Sequence, residues 1–184
     1  MELVTEVASK KFQTLFEKAT QFDLEICVIR YMNKQKVTRT YADAVAAETL
    51  KYLCLCNAFR EHDWIITGEI DEFWHTMILF TERYEKFCDA VFGHFLHHVP
   101  AEEGRLRDKL AGKSLSRELK ADGYRKTVEL YQAITGNAPP KLIWPSDLVI
   151  SGPQVPQPCG CGGGGPCEPM CGCSRPKTCF PEPP

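Results

Sequence analysis

Residues 69–100 read EIDEFWHTMILFTERYEKFCDAVFGHFLHHVP, and the spacing of their apolar side chains decides the fold. From Ile70 to Phe92 these side chains recur at intervals of three and four residues, as they do along one face of an α-helix. Acidic residues occupy the predicted first turn, where a negative charge interacts favourably with the helix dipole. Glycine, which follows the apolar pattern at position 93, is a common residue at the C-terminal end of a helix. We therefore predict one long amphipathic helix that begins near Glu69 and ends at Gly93.

The rest of the chain contains further apolar patterns of helical period. Residues 22–33 and 115–135 each show one apolar face, and residues 40–59 begin with a Thr40–Asp43 pair that resembles a capping box. A shorter helix is predicted over residues 9–19. No segment combines sustained alternation of polar and apolar residues with hairpin turns, so strands are not expected. The sequence predicts an all-α fold, a small helical bundle of about four to five helices.

Composition and charge limit the classes of function. The chain has 184 residues, 43% of them hydrophobic and 25% charged, which suits a folded domain of ordinary size. Its formal net charge of −2 argues against nucleic-acid binding. The N-terminus does not resemble a signal peptide, and no apolar run approaches the roughly 18 residues of a membrane span. We expect a cytoplasmic protein without a membrane span.

The composition changes near residue 150. Beyond it the sequence is rich in Pro, Gly and Cys and has almost no large apolar side chains. Such a segment cannot bury enough apolar surface to offset the conformational entropy that it would lose on folding. We predict a helical domain over residues 1–150 and a flexible, disordered Cys/Gly/Pro-rich tail over residues 151–184.

Four of the five histidines lie within residues 69–100. Asp71 and His75 are four residues apart and therefore project from one helix face, while His97 and His98 follow the predicted helix end. A carboxylate with two or three imidazoles is a suitable ligand set for Zn²⁺ or Fe²⁺. The alternative is structural: Asp71 would pair near the helix start, His75 would satisfy a hydrogen bond, and the two later histidines would fix the exit of the chain.

The ten cysteines fall into two groups with different explanations. Those in the body lie among apolar residues, where a free cysteine usually behaves as a small buried hydrophobe; they are Cys27, Cys54, Cys56 and Cys88. Those in the tail are Cys159, Cys161, Cys167, Cys171, Cys173 and Cys179.

The tail cysteines include two C-x-C pairs flanked by glycine. Two thiolates at this spacing can bind one soft ion, so we predict Zn²⁺ or Cu⁺ ligands in the tail. Two alternatives stay open. The thiols could form disulfides with a protein partner, or the tail could be an inert spacer.

The sequence over residues 69–100 resembles the glycine-rich domain-containing-protein-like family, which includes plant glycine-rich domain proteins and small bacterial relatives. The residues that match the family pattern are Asp71, Trp74, His75, Ile78, Leu79, Tyr84, Cys88, Phe92, Gly93, Phe95, His97, His98 and Pro100. Two positions depart from it: Met77 stands where many members have a second histidine, and His94 where an arginine is usual. The resemblance implies a fold more than a reaction, and it also implies a Gly/Cys-rich tail.

Three classes of function are compatible with these features. The leading hypothesis is a non-enzymatic metal-binding or protein-interaction protein, with body ligands Asp71, His75, His97 and His98 and soft-metal ligands in the tail. The second is an enzyme in which His75 acts as a general base or as a ligand of a catalytic metal. The third is a precursor whose Cys-rich C-terminus becomes a modified peptide, with the helical domain as leader.

Overall fold

The computed structural model describes the backbone of residues 2–98, 110 and 117–145, and the side chains of residues 6–98, 110 and 121–145. Six helices occupy these ranges, and no strand is present in them. The helices are α1 (Glu2–Thr20), α2 (Glu25–Gln35), α3 (Arg39–Ala58), α4 (Gly68–Leu79), α5 (Thr81–Phe92) and α6 (Arg117–Thr135). The predicted all-α fold is therefore confirmed. None of the described helices combines the length and the apolarity required to cross a membrane.

The prediction of one long helix over residues 69–93 is wrong, because the chain leaves the helical path at Phe80. This residue has φ −93° and ψ 65°, and it separates α4 from α5. Its N–H donates to the carbonyl of Met77 at 3.1 Å, and its own carbonyl accepts from the N–H of Tyr84 at 2.8 Å. Thus α4 ends and α5 begins at one residue. The spacing of the apolar side chains stays the same across the break, so the sequence pattern does not reveal it.

Other helix ends also differ from the sequence prediction. Helix α1 begins at Glu2, seven residues before the predicted start at Ser9. The cap of α3 is Thr38 rather than Thr40: the Thr38 hydroxyl accepts a hydrogen bond from the N–H of Tyr41 at 3.3 Å. A threonine outside the helix can use its side chain to satisfy an N–H of the first turn, and Thr40 already lies inside α3.

Helix α3 lies at the centre of the described fold and packs against α1, α2 and α4. Its Ala42, Val45, Leu53 and Leu55 side chains are fully buried. The prediction that the body cysteines act as buried hydrophobes is confirmed for Cys27, Cys54 and Cys88, whereas Cys56 is partly exposed. Burial raises the pKa of Cys27 to about 11 and that of Cys54 to about 12, so these thiols stay protonated near neutral pH.

A buried carboxylate joins α3 to α6 and to the segment that follows it. Glu48 Oε2 accepts hydrogen bonds from the Tyr131 hydroxyl at 2.9 Å and from Trp144 Nε1 at 3.0 Å. Its other oxygen lies 2.7 Å from Lys51 Nζ. Because each oxygen of this carboxylate has a donor, its burial is compensated. The same contacts fix residues 131–144 against the central helix.

The tail and the proposed boundary at residue 150 lie outside the described residues. The division into a helical domain over 1–150 and a tail over 151–184 therefore stays a prediction.

Candidate metal centre

A corner after α5 returns the chain towards α4. Gly93 adopts a left-handed conformation with φ 72°, and its N–H lies 3.1 Å from the carbonyls of both Cys88 and Asp89. Glycine reaches this conformation without the steric penalty that a Cβ imposes. The predicted end of the helical pattern at Gly93 is confirmed, and the five residues after it lead to His98.

Two buried aromatic side chains hold this corner in place. The Tyr84 hydroxyl donates a hydrogen bond to the carbonyl of Leu96 at 2.7 Å and accepts one from Trp74 Nε1 at 2.8 Å. The Trp74 ring in turn packs against the ring of His98, with their centroids 4.1 Å apart. The corner therefore places His98 beside the helix that carries His75, and the centroids of these two imidazoles are 4.5 Å apart.

Asp71 completes a cluster with the two histidines. Its Oδ1 accepts a hydrogen bond from His98 Nε2 at 2.8 Å, and its Oδ2 lies 3.6 Å from His75 Nδ1. One potential ligand atom from each of the three residues lies within 4.8 Å of the other two. Residues that are 27 positions apart in sequence thus present one carboxylate and two imidazoles to a common point.

The cluster is buried on one side and accessible on the other. The exposed fraction of the side chain is 6% for His98, 22% for Asp71 and 38% for His75. His98 Nδ1 is buried and has no hydrogen-bond partner among the described residues. A buried polar atom without a partner is costly, so this ring is not fully satisfied by its bond to Asp71.

The three residues could hold a small divalent cation. Bonds of about 2.0–2.1 Å in a tetrahedral arrangement place ligand atoms about 3.3 Å apart, and one potential ligand atom from each of the three residues lies within 4.8 Å of the other two. The Asp71–His98 separation is shorter because a hydrogen bond joins these groups directly. A cation could replace that bond if the two groups moved apart by about half an ångström.

The negative charge of Asp71 also affects a neighbouring phenol. Burial is the main reason that the pKa of Tyr52 lies well above its usual value; the neighbouring Cys56 thiol raises it further, and the charge of Asp71 makes a smaller contribution in the same direction. The Tyr52 ring lies between three tryptophans, with centroid distances of 6.2–6.4 Å to Trp64, Trp74 and Trp144. This phenol stays neutral near neutral pH and contributes no negative charge to the cluster.

His97 is not among the residues that the structure brings together. It is exposed, and its ring packs against Phe95 with a centroid distance of 4.9 Å. Of the two adjacent histidines, His98 contacts Asp71, whereas His97 is exposed. The six tail cysteines predicted as ligands lie outside the described residues.

His94 serves to attach the corner to α3. Its Nδ1 lies 3.0 Å from the carbonyl of Phe92, and its Nε2 lies 3.0 Å from Asn57 Nδ2 and 2.9 Å from Arg60. An Nδ1–H can donate to the carbonyl, and Nε2 can accept from Asn57 and Arg60, which share its one lone pair. Met77, the other position that departs from the expected pattern, is buried in the core.

The hydrogen-bonding roles of Trp74 and Tyr84 were not predicted from the sequence, in which these residues belong to the apolar helical pattern and to the residues that carry the family resemblance. Their polar atoms gave a partial signal, because a buried tryptophan or tyrosine usually requires a hydrogen-bond partner. Nothing in the sequence identified the partner as the backbone of Leu96.

These features define a small all-α protein with one candidate metal-binding triad in its described part. The chain belongs to the UCP032817-like family, whose model matches residues 16–130 and includes all three residues of the triad. No curated protein and no solved structure matches the chain.

The predicted resemblance to the glycine-rich domain-containing-protein-like family is wrong, because the family that matches is the UCP032817-like family. The resemblance was specific only over residues 69–100, where one tryptophan, one tyrosine and four histidines lie at spacings that suit a helix followed by a tight corner. A local pattern of this kind describes a packing arrangement and does not by itself define a family. The family pattern therefore gives no basis for treating Met77 and His94 as departures or the tail as a family feature.

Proposed function

We propose that this chain is a metal-binding protein in which Asp71, His75 and His98 hold one divalent cation. The observation that supports this proposal most strongly is the convergence of the three potential ligand atoms to within 4.8 Å. Imidazole and carboxylate ligands suit Zn²⁺, and two histidines with one carboxylate also suit Fe²⁺. Zn²⁺ is the ion that we would test first.

The position of His75 favours a metal centre over a purely structural pair. A structural role for Asp71 would be complete with its 2.8 Å hydrogen bond to His98. His75 Nδ1 lies 3.6 Å from the same carboxylate, too far for a good hydrogen bond, while its ring packs against that of His98. A cation between the three groups would give this imidazole a polar partner and would offset the proximity of two basic rings.

A second metal site in the tail is part of the proposal. The two C-x-C pairs support it, since thiolates at this spacing bind soft ions such as Zn²⁺ or Cu⁺. A protein partner that forms disulfides with the tail is the alternative.

The experiment must separate the triad from the tail. We would prepare the full chain with the six tail cysteines replaced by serine, and titrate it with Zn²⁺ against a chromophoric chelator. Asp71→Asn keeps the size of the side chain and an oxygen that can accept from His98, but removes the charge. Asp43→Asn is the matched control, because Asp43 pairs with Arg39 at 2.9 Å on an exposed helix surface.

We expect the serine-tail protein and its Asp43→Asn variant to bind one Zn²⁺ per chain, and Asp71→Asn to lose at least tenfold in affinity. Equal affinity in all three proteins would rule out the triad as the site. The proposal for the tail is tested by comparison with the unmodified chain, which should bind additional Zn²⁺ or Cu⁺ under reducing conditions.

A metal-dependent enzyme is the second candidate, and the exposure of His75 is the observation that favours it. Catalytic zinc sites use three protein ligands and leave a position for water, whereas structural sites use four. Among the described residues the cluster offers three ligands. Binding of acetohydroxamate to the Co²⁺-substituted protein, seen as a change in its visible spectrum, would support this candidate, and an unchanged spectrum at millimolar acetohydroxamate would contradict it.

The precursor hypothesis concerns residues outside the described ranges. The intact mass of the protein from its native source tests it, because cleavage or cysteine modification would change that mass.

A further inference from the structure

We propose that Tyr84 is a positioning residue of the metal centre, and that its hydroxyl sets the affinity for the cation without touching it. This inference rests on the proposed function, since it concerns the same site. It assigns a role to a buried polar group that the ligand set does not include.

The Tyr84 hydroxyl joins the two chain segments that carry the imidazoles. It donates to the carbonyl of Leu96, two residues before His98, and it accepts from the indole N–H of Trp74, one residue before His75. Tyr84 and Trp74 are both buried. One hydroxyl thus donates a hydrogen bond to the corner and accepts one from α4, so it fixes the distance between these two segments.

The contacts around His98 make its position sensitive to this hydroxyl. The backbone of Leu96 is held by Tyr84, and the His98 ring lies against the Trp74 indole, whose orientation depends on the same hydroxyl. His98 makes its described side-chain hydrogen bond to Asp71, itself a proposed ligand. If a cation replaces the hydrogen bond between His98 and Asp71, the imidazole of His98 is oriented by the backbone of the corner and by the Trp74 indole.

Burial also keeps this hydroxyl in the form that can donate. It raises the pKa of Tyr84 far above the ordinary value for a phenol, so the O–H persists over the whole range in which histidine binds metal. Removal of the oxygen would take this partner away from the partly buried carbonyl of Leu96 and from the buried N–H of Trp74, and we expect the corner to move in response. Loss of a group that orients a metal ligand typically reduces metal affinity by about 10–100-fold.

The test compares two tyrosines with the same chemistry. Tyr84→Phe removes the hydroxyl at the site, and Tyr124→Phe removes a hydroxyl that donates to the carbonyl of Pro145 at 2.8 Å, between partners that are not part of the cluster. Both tyrosines are buried, so the two variants share the loss of one tyrosine-to-backbone hydrogen bond. Each would be made in the full chain with serine in place of the tail cysteines, and titrated with Zn²⁺ against the chelator.

We expect Tyr84→Phe to weaken Zn²⁺ binding by about 10–100-fold and Tyr124→Phe to change it by less than about threefold. The visible spectrum of the Co²⁺-substituted protein should change in Tyr84→Phe only, because the arrangement of ligands around the ion changes. A general loss of stability would lower the melting temperature of both metal-free variants without producing this spectral difference.

Two results would overturn the inference while leaving the metal site intact. In one, Tyr84→Phe binds Zn²⁺ as tightly as its parent although Asp71→Asn does not. In the other, both phenylalanine variants lose the same affinity. If Tyr84→Phe fails to fold, Trp74→Phe replaces it: this variant keeps an aromatic ring next to His98 but removes the N–H, and it should bind Zn²⁺ at least about threefold more weakly. Unchanged affinity in Trp74→Phe would count against the inference.

Discussion

Replacement of Gly93 by alanine isolates the contribution of the corner to stability. Gly93 has φ 72°, and a Cβ added there would meet no heavy atom within 4 Å. The substitution therefore introduces backbone strain without a steric clash. A left-handed conformation disfavours a residue with a Cβ by about 1–2 kcal/mol. We expect Gly93→Ala to lower the free energy of unfolding by that amount, and the melting temperature by about 3–8 °C.

Gly68 provides the matched control. It begins α4, has no positive φ, and also has open space where a Cβ would lie. Alanine is favoured in a helix and reduces the entropy of the unfolded chain, so Gly68→Ala should leave stability unchanged or raise it by about 0.5 kcal/mol. Urea unfolding of the three proteins, followed by circular dichroism, measures the difference. If Gly93→Ala unfolded at the same urea concentration as the wild type, the left-handed conformation would not be the reason for glycine at this corner.

Three further predictions concern other parts of the chain. Glu48→Ala should lower the free energy of unfolding by about 3 kcal/mol, because it leaves the Tyr131 hydroxyl and neighbouring donors buried without an acceptor; a loss below about 1 kcal/mol would contradict this. His62 contacts the Thr127 hydroxyl, and burial lowers the pKa of His62 in the folded protein below its ordinary value of 6.5. The contribution of this neutral imidazole to the free energy of unfolding should therefore be fully present above pH 6.5 and be lost as the pH falls through the lowered pKa of the folded protein. His62→Gln should remove this pH dependence. Replacement of the cysteines within residues 159–179 by serine should reduce zinc or copper content, measured by elemental analysis, and an unchanged content would exclude the tail as a metal site.

The helical part of the fold could be predicted from the sequence because burial imposes a period on apolar side chains. The end at Gly93 was predictable for a related reason, since glycine is the residue that most easily adopts the left-handed conformation. The break at Phe80 was not, because no proline or glycine marks it and the apolar residues of α4 and α5 keep one spacing across it. The number of helices was underestimated for this reason.

The candidate site was predictable only where it depends on local geometry. Asp71 and His75 are four residues apart on one helix, so their proximity follows from the helical period alone. The choice of His98 over His97 depends on the path of the corner, which is held by the hydrogen bond from the Tyr84 hydroxyl to the carbonyl of Leu96. Contacts between distant residues determine that path, and a single sequence does not specify them.

The most direct test of the proposed metal site is a calorimetric titration of Zn²⁺ into the full chain with serine in place of the tail cysteines. We predict one tight site per chain, with binding strongly weakened in Asp71→Asn and retained in Asp43→Asn. No measurable heat of binding in the parent protein, or a site that persists unchanged in Asp71→Asn, would contradict the assignment of Asp71, His75 and His98 as the ligands.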